Sequence, residues 1–408
     1  MQYLAFDSNV AQRWRRVKDF IESMTDANFW VDIKKHTRSL LKDTMELCMD
    51  WEMIQHIGNE SYKRTNPRQD SRNGYYYRNL DTELGPIDEL AVPRSRLGYF
   101  KTNVFGAYQR RQSAVNEAIC NVFLAGVSTR DVSGAIKPLL ETSFSASCVS
   151  RITKSLDVKV REFHKRELLD EYQFLFLDGI TLSVKGSLKA VKKLVLAAYG
   201  ITVFGKKELI SFRIASSESG PAWEAFLNDL QKRGLKGENL KLIITDGCKG
   251  LHAALDTVYA YTKRQHCWVH KLRNVAKYLK KSDEEEVLAE AKKIYKADTK
   301  REAVSLFRLW KKHWHRKYPE AVNCIEKNLD TLLAFLEISI PEKYKSLIRK
   351  RIRTTNVIER AFREVRRRTR PMSCFTNQDS VNRIIYAIFN RLNNKWEVKP
   401  LREFTQFN

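Results

Sequence analysis

Asp178 ends the apolar run Phe174-Leu175-Phe176-Leu177, and Asp246 ends the run Leu242-Ile243-Ile244-Thr245. Glu359 stands in Thr355-Asn356-Val357-Ile358-Glu359-Arg360, at the start of a very basic helix. Two aspartates at strand ends and a distant glutamate on a helix suit two-metal phosphodiester chemistry. In that chemistry carboxylates hold two divalent cations about 4 Å apart, and the cations clamp the attacking and leaving oxygens. Mg²⁺ (or Mn²⁺), two ions per site, fits this acid set better than any His/Cys cluster in the chain, because a hard cation prefers carboxylate, water and phosphate oxygen. Gly179 and Gly247 follow the two aspartates and leave those points open to an approaching backbone, although Asp-Gly is also an ordinary turn dipeptide.

Strands at Gln173 to Leu177, Leu194 to Tyr199, Leu209 to Ala215, Leu240 to Thr245 and Tyr261 to Cys267 alternate with helices at Pro221 to Arg233 and Lys249 to Val258. Three strands, helix, strand, helix, strand is the order of an α/β, ribonuclease H-like core with a mixed five-stranded sheet. In that order the first strand is central and flanked by the fourth, so Asp178 and Asp246 lie side by side at one end of the sheet. About 80 residues before the basic helix read as all-helical, including Glu284 to Ala297, Arg301 to His313 and Ala321 to Leu336. They form an all-α insertion between the second and third acids. Trp310 and Trp314, an i, i+4 pair inside it, read as core packing ahead of stacking on bases. Pro138 should break or end the helix it lies in.

Lys plus Arg is 73 against 48 Asp plus Glu, a net charge of +25 over 408 residues. That balance favours a polyanionic partner. No apolar run approaches the roughly 18 residues a membrane span requires. The beginning lacks the pattern of a secretory signal, and the seven scattered cysteines suggest free thiols in a reducing compartment.

Six regions are expected. Residues 1–60 are helical, with Trp14, Val17, Phe20 and Ile21 at helical spacing, then Leu40, Leu47, Trp51 and Ile54 along one side, as an arm or pairing surface. Residues 61–112 are a small basic β module, with Asn73-Gly74 and Gly85-Pro86 as its turns, whose Arg72, Arg94 and Arg96 could grip phosphate or simply be solvated. Residues 113–160 read as a helix-turn-helix. Its first helix carries the stripe Ala114, Ala118, Ile119, Val122 and Phe123, Ser128 caps the second, and the third faces Val149, Ile152 and Leu156 inward. Ser147, Ser150, Arg151 and Lys154 are the exposed reading residues on that third helix. Residues 170–270 are the first part of the core, 271–350 the helical insertion and 351–408 the last part of the core. Ten Lys or Arg against two Glu lie between Arg349 and Arg370, so Arg360, Arg363, Arg366 and Arg367 could track a phosphate backbone beside Glu359. Cys267-Trp268-Val269-His270 has half of a zinc-site spacing. Without a second half, Cys267 and His270 read better as shaping the site than as binding zinc.

Thr245-Asp246-Gly247-Cys248-Lys249-Gly250-Leu251, Gln265 through Asn274, Arg353 through Arg360, Arg366-Arg367-Arg368 and Met372-Ser373-Cys374-Phe375 follow one another in order. With Arg72-Asn73-Gly74-Tyr75, Val92 through Arg96 and Gly126 through Val132 upstream, this set resembles the mutator-type transposases of prokaryotic insertion sequences. The resemblance spans roughly residues 70 to 400. It implies a DDE transposase whose triad is Asp178, Asp246 and Glu359, with a Cys-x-x-His signature near the site. It also implies double-stranded DNA as partner, both terminal inverted repeats and target. A homodimer or larger assembly on DNA, no membrane, and a cytoplasmic, nucleoid-associated, prokaryotic setting go with that reading. The rival readings are a sequence-specific DNA-binding protein and a nuclease of the same fold without strand transfer.

Overall fold

The computed structural model describes Lys18 and residues 29–58, 70–186, 189–370, 374–375 and 377–405. The helix expected around Trp14 to Ile21, the basic stretch Ser61 to Arg68, and Met372 and Ser373 lie outside the described residues. The chain divides into two units, Met1–Phe123 with Val127–Ile152, and Leu124–Gly126 with Thr153–Asn408.

In the first unit, α1 (Phe29–Ile57) lies on a two-stranded antiparallel sheet, β1 (Arg72–Thr82) and β2 (Gly85–Ser95). Met45, Met49, Leu80, Ile87, Leu90, Val92 and Phe105 form their shared core. The side of α1 that turns inward is therefore the methionine side, with Met53 also buried. Leu40, Leu47 and Trp51, expected as part of an arm or pairing surface, are exposed. Asn73-Gly74 is not the hairpin turn. It lies inside β1 at a register shift between Arg72 and Tyr75, with Gly74 at φ +67. The reversal comes at Thr82–Gly85, where Thr82 Oγ1 donates to the Gly85 carbonyl at 2.7 Å.

Three helices follow: α2 (Ser113–Leu124), α3 (Val132–Leu140) and α4 (Ala146–Thr153). The buried stripe of α2 is Val115, Ile119 and Phe123, and Ala114, Ala118 and Val122 are half-buried. Ser128 caps a turn rather than the helix itself, accepting from the Asp131 N–H at 3.3 Å. Pro138 does not break α3, which continues two residues beyond it. The only helical bond forfeited there is to the carbonyl of Gly134, and so close to the helix end that loss is small. The third helix does break. It stops at Thr153, and α5 (Leu156–Lys165) starts afresh in the second unit, so Leu156 is not on the helix that carries Val149. Ionic contacts of Arg383 with Asp157 at 2.6 and 3.1 Å tie α5 to the second unit.

The second unit is a mixed α/β layer structure. Its sheet has β3 (Tyr172–Lys185) at the centre, β4 (Ala190–Thr202) and β5 (Lys207–Ala215) on one side, and β6 (Leu242–Thr245) and β7 (Arg264–His266) on the other. β3 is antiparallel to β4 and parallel to β6, and β6 is parallel to β7. That is the strand order expected, with longer first and second strands. α6 (Gly220–Lys232) and α7 (Lys249–Val258) bury Trp223, Phe226, Leu227, Leu251 and Leu255 against Leu175 and Leu177 of β3. Alternate residues point to the other layer, where Phe174 meets Phe404 and Phe176 meets Tyr199.

After β7 the chain is helical: α8 (Trp268–Ala276), α9 (Glu284–Ile294), α10 (Lys300–Trp314), α11 (Pro319–Glu326), α12 (Leu329–Leu333) and α13 (Lys345–Ile352). Trp310 and Trp314 are buried, and their indole N–H groups donate to the Val287 carbonyl at 3.1 Å and the Glu290 carboxylate at 2.7 Å. Core packing is thus their role. α14 (Asn356–Thr369) and α15 (Gln378–Glu397) complete the unit, and α15 covers β5, where Phe389 meets Phe212 edge to face.

α6 and α7 approach closely because Gly250 has no side chain. A Cβ there would lie 2.7 Å from the Gly220 nitrogen, which is backbone and cannot yield. Gly250→Ala should therefore cost about 1–3 kcal/mol of stability through forced helix displacement. A urea midpoint by circular dichroism checks this; an unshifted midpoint would mean the helices have slack.

Candidate active site

Four residues of β6 fix the geometry. Phe174 through Leu177 pair in parallel register with Leu242 through Thr245, so Asp178 and Asp246 are the next positions on adjacent strands. The structure corrects one expectation: Asp178 is not at a strand end. β3 continues seven residues beyond it to Lys185, while β6 stops before Asp246. The central strand therefore loses its β6 neighbour at Asp178, and the sheet opens there.

Asp178 is only 6% exposed, and a Gly179 N–H donates to its Oδ1 at 2.8 Å. Burial, then the charge of Asp246 and more weakly that of Glu359, pushes its pKa up to about 7. Asp246 is half-buried in a tight turn that Gly247 permits at φ +93, and its Oδ1 accepts from the Cys248 N–H at 3.1 Å. Glu359, in the first turn of α14, is close enough for its charge to act on Asp178. The three acids expected from sequence are thus brought together.

Cys267 and His270 join them. The Cys267 N–H donates to the Thr245 carbonyl at 2.7 Å, fastening the start of α8 to the end of β6. Trp268 N–H donates to the Arg353 carbonyl at 3.1 Å, fastening α8 to the chain that leads into α14. Thr355 lies between. Its N–H and hydroxyl approach the Cys267 sulfur at 3.3 and 3.4 Å. Burial alone would raise the Cys267 thiol, but hydrogen bonding from His270 and Thr355 outweighs it and holds the thiol below its usual range. The same bond from Cys267, with the nearby carboxylates, pushes His270 up to about 9. His270 Nε2 then sits 3.5 Å from Glu359 Oε1, and Arg273 lies 3.4 Å from Oε2.

Donor atoms of Cys267, His270 and Glu359 lie within 4.8 Å of one another, a grouping able to hold a metal ion. The carboxylates themselves also suit a hard cation. Glu359 Oε1 is buried without a hydrogen-bond partner, and Asp178 is destabilised as an anion by its acidic neighbours. A positive charge placed among them would relieve both.

Four residues near the acids were given no role by sequence. Arg273 is one helical turn beyond His270 and could have been found from that i, i+3 spacing. Glu218 is a fourth carboxyl, raised by burial and by the charge of Asp246. It lies in the loop between β5 and α6, where periodicity carries no signal. His252 and His266 make an imidazole pair beside Gly247, and burial with His252 holds His266 down to about 3.

The basic candidates fall in three places. Arg360, Arg363, Arg366 and Arg367 are exposed on α14, whose opposite side buries Ile358, Ala361, Phe362 and Val365. Arg94 and Arg96 are exposed at the end of β2, and Arg72 is half-buried at the start of β1. On α4 and just after it, Ser147, Arg151 and Lys154 are exposed and Ser150 is half-buried. Among the described residues no helix is long and apolar enough to cross a membrane.

Residues 14–399 match the family described as Transposase, Mutator family. The chain is 32% identical over 393 residues to the transposase for insertion sequence element IS256 in transposon Tn4001 of Staphylococcus aureus, covering 95% of this chain and 97% of that one. It is 32% identical over 359 residues to the transposase for insertion sequence element ISRM5 of Rhizobium meliloti, 88% of each chain. The transposase for IS905 of Lactococcus lactis matches at 31% over 376 residues, 92% of this chain and 93% of that one.

The raised Asp178 pKa has a thermodynamic consequence in metal-free protein. Folded, the group holds its proton to about pH 7; its ordinary value is 3.8. Between those values the folded chain binds more protons than the unfolded one, so stability falls as pH rises from about 4 to about 7. Asp178→Asn has no proton to lose there. It should be more stable than the wild type at pH 8, by up to roughly 4 kcal/mol, and equal to it below pH 4. Denaturant melts across pH with chelator present would show otherwise if the two profiles run parallel.

Proposed function

The chain belongs to the mutator family of transposases, and from that membership we propose that it is a DDE transposase. It binds the terminal inverted repeats of its insertion sequence, cleaves the element ends and joins the 3′-hydroxyl ends to target DNA. Asp178, Asp246 and Glu359 are its triad, on a ribonuclease H-like core (170–270 and 351–408) interrupted by the helical insertion 271–350. The observation that carries this reading is the parallel register of β3 and β6, which sets Asp178 beside Asp246 within electrostatic reach of Glu359.

Asp178 and Asp246 would hold one divalent cation, and Asp178 with Glu359 a second. Bound there, Mg²⁺ or Mn²⁺ supplies Lewis-acid stabilisation of the attacking and leaving oxygens. The protein's own groups do the remaining work. Asp178 supplies an anionic oxygen from a rigid strand interior, so its position is set by the sheet and not by a mobile loop. The His270 imidazolium faces Oε1 of Glu359 as an ion pair without a hydrogen bond, and Arg273 holds Oε2 from the other side, which fixes the third carboxylate. Cys267 keeps His270 protonated, and Thr355, 3.3 Å from Nδ1, holds it in place. Attack by water releases the 3′-hydroxyl at an element end, and attack by that hydroxyl joins it to target DNA. Neither reaction needs a serine or tyrosine nucleophile.

Arg360, Arg363, Arg366 and Arg367 project from the helix that carries Glu359, so phosphate gripped by them is delivered to the acids. The β1–β2 module, through Arg72, Arg94 and Arg96, and α4, through Ser147, Ser150, Arg151 and Lys154, are the proposed end-recognition elements.

Asp246→Asn and Glu359→Gln should each lower cleavage and joining roughly a thousandfold or more, with end binding changed less than about threefold. Nicking and strand-transfer assays on labelled ends check this, and joining by purified Asp246→Asn would end the triad assignment. Nicking without joining by the wild type would favour a nuclease. Removing Arg363 or Arg366 should weaken binding across sequences and lower the slope of log affinity against log salt by about one each. A slope unchanged in both variants would take α14 off the DNA path.

A further inference from the structure

α1 has two unlike sides. Its contacts with the β hairpin come from one of them: Arg38 donates to the Leu84 carbonyl at 3.2 Å, Lys42 to the Asp88 carbonyl at 3.0 Å, and Glu46 accepts from the Ala91 N–H at 2.9 Å. Met45, Met49 and Met53 are buried on that same side.

The other side carries a heptad repeat. Trp30, Thr37, Thr44 and Trp51 recur every seven residues, and Ile33, Leu40, Leu47 and Ile54 recur every seven between them. Spacing that alternates three and four is the seam of a coiled coil. Trp30 is 79% exposed, Leu40 52%, Leu47 64% and Trp51 61%. The two threonines belong to the apolar seam, because their hydroxyls bond back to the Ile33 and Leu40 carbonyls at 2.8 and 2.7 Å. Trp223, Trp268, Trp310 and Trp314 are all buried, so two exposed tryptophans on one helix side need a cover.

We propose that this seam pairs, antiparallel, with the same seam of a second copy of the chain. The choice of occupant follows from side-chain volume. In an antiparallel pair each residue of one heptad series faces one of the other. Trp30 of one copy then meets Ile54 of the other, Ile33 meets Trp51, Thr37 meets Leu47 and Leu40 meets Thr44. Every layer combines a larger with a smaller side chain, which fills the space evenly. A parallel pair would put tryptophan on tryptophan and threonine on threonine, overfilling the ends and leaving the middle loose. Within the chain, the competing occupant is the apolar repeat Val10, Trp14, Val17, Ile21 and Met24. It offers five apolar residues against the eight positions of the seam.

Sedimentation of the full-length protein without DNA tests the pairing. Wild type should be a dimer, and Leu40→Asp with Leu47→Asp should raise its dissociation constant at least about 100-fold. These side chains are exposed, so circular dichroism of the variant should match the wild type. Two further arms report orientation. The antiparallel axis brings the two Asp43 side chains together, so Asp43→Asn should tighten the dimer. It also puts position 34 near Cys48 of the other copy, so a short bismaleimide should link Lys34→Cys to Cys48 between chains, as peptide mapping would show. A wild type that stays monomeric to concentrations on the order of 100 μM would overturn the proposal, as it would if the chain's own beginning covers the seam. A dimer indifferent to the double substitution, or cross-links only between equivalent positions, would overturn it too.

Discussion

A carboxylate held inside a β-sheet, beside two more, is the constraint on which the larger unit depends. Asp178 is buried in the middle of the central strand, and its nearest charged neighbours include Asp246 and Glu359. Like charges in a desolvated place oppose folding unless something offsets them. The surroundings bear the mark of that need. β6 stops one residue short of Asp246, which leaves the acids an open edge. The layers on both faces of the sheet are dense with aromatic side chains, Trp223 and Phe226 on one, Phe174, Phe176, Tyr199 and Phe404 on the other. The strand that bears the unfavourable charge is thus held by packing on every side except the one the acids face.

Glu359 poses a different problem, since it arrives on a helix remote in sequence. The route that fixes it runs through α8. Cys267, the residue before it, is tied to β6, its first residue, Trp268, is tied to Arg353, and its second turn reaches Glu359 through Arg273. Thr355 bonds the sulfur just before α14 begins. A Cys-x-x-His spacing on a helix start can do this because residues three apart lie on one face: the sulfur grips the incoming chain while the imidazole meets the acid that chain carries. The pair serves as an electrostatic joint between two ends of the sheet unit. That explains the residue types without invoking a metal at the sulfur.

Much of this could be read from the residues. The strand order and the neighbouring positions of Asp178 and Asp246 follow from apolar runs of the right length, because a buried parallel strand needs little else to declare itself. Where the reading failed, local pattern and tertiary context disagreed. Asn73-Gly74 has turn chemistry but sits in a bulge, since the register of the hairpin is set by the reversal at Thr82–Gly85. The third helix of the three-helix group ends at Thr153, because the next helix is held elsewhere by Arg383. β3 outlasts its apolar run because residues past Asp178 still pair with β4, a fact of register that hydropathy does not encode. Glu218 gave no sign at all, being an acid in an irregular loop.

α1 shows the same limit from the opposite side. Leu40, Leu47, Trp51 and Ile54 were legible as a stripe, and a stripe is ordinarily read as the inward face of a helix. Here the inward face is methionine, whose flexible thioether can fill the uneven surface of a two-stranded sheet. A sheet of two strands is too small to cover a helix of 29 residues on more than one side. A long helix resting on so small a support must either expose apolar surface or find a second support. The heptad spacing is a regularity that the hairpin does not require, whereas a partner helix does. The strongly cationic balance of the chain points the same way. A net charge of +25 works against bringing two copies together by electrostatics, so an association surface on such a protein has to be apolar.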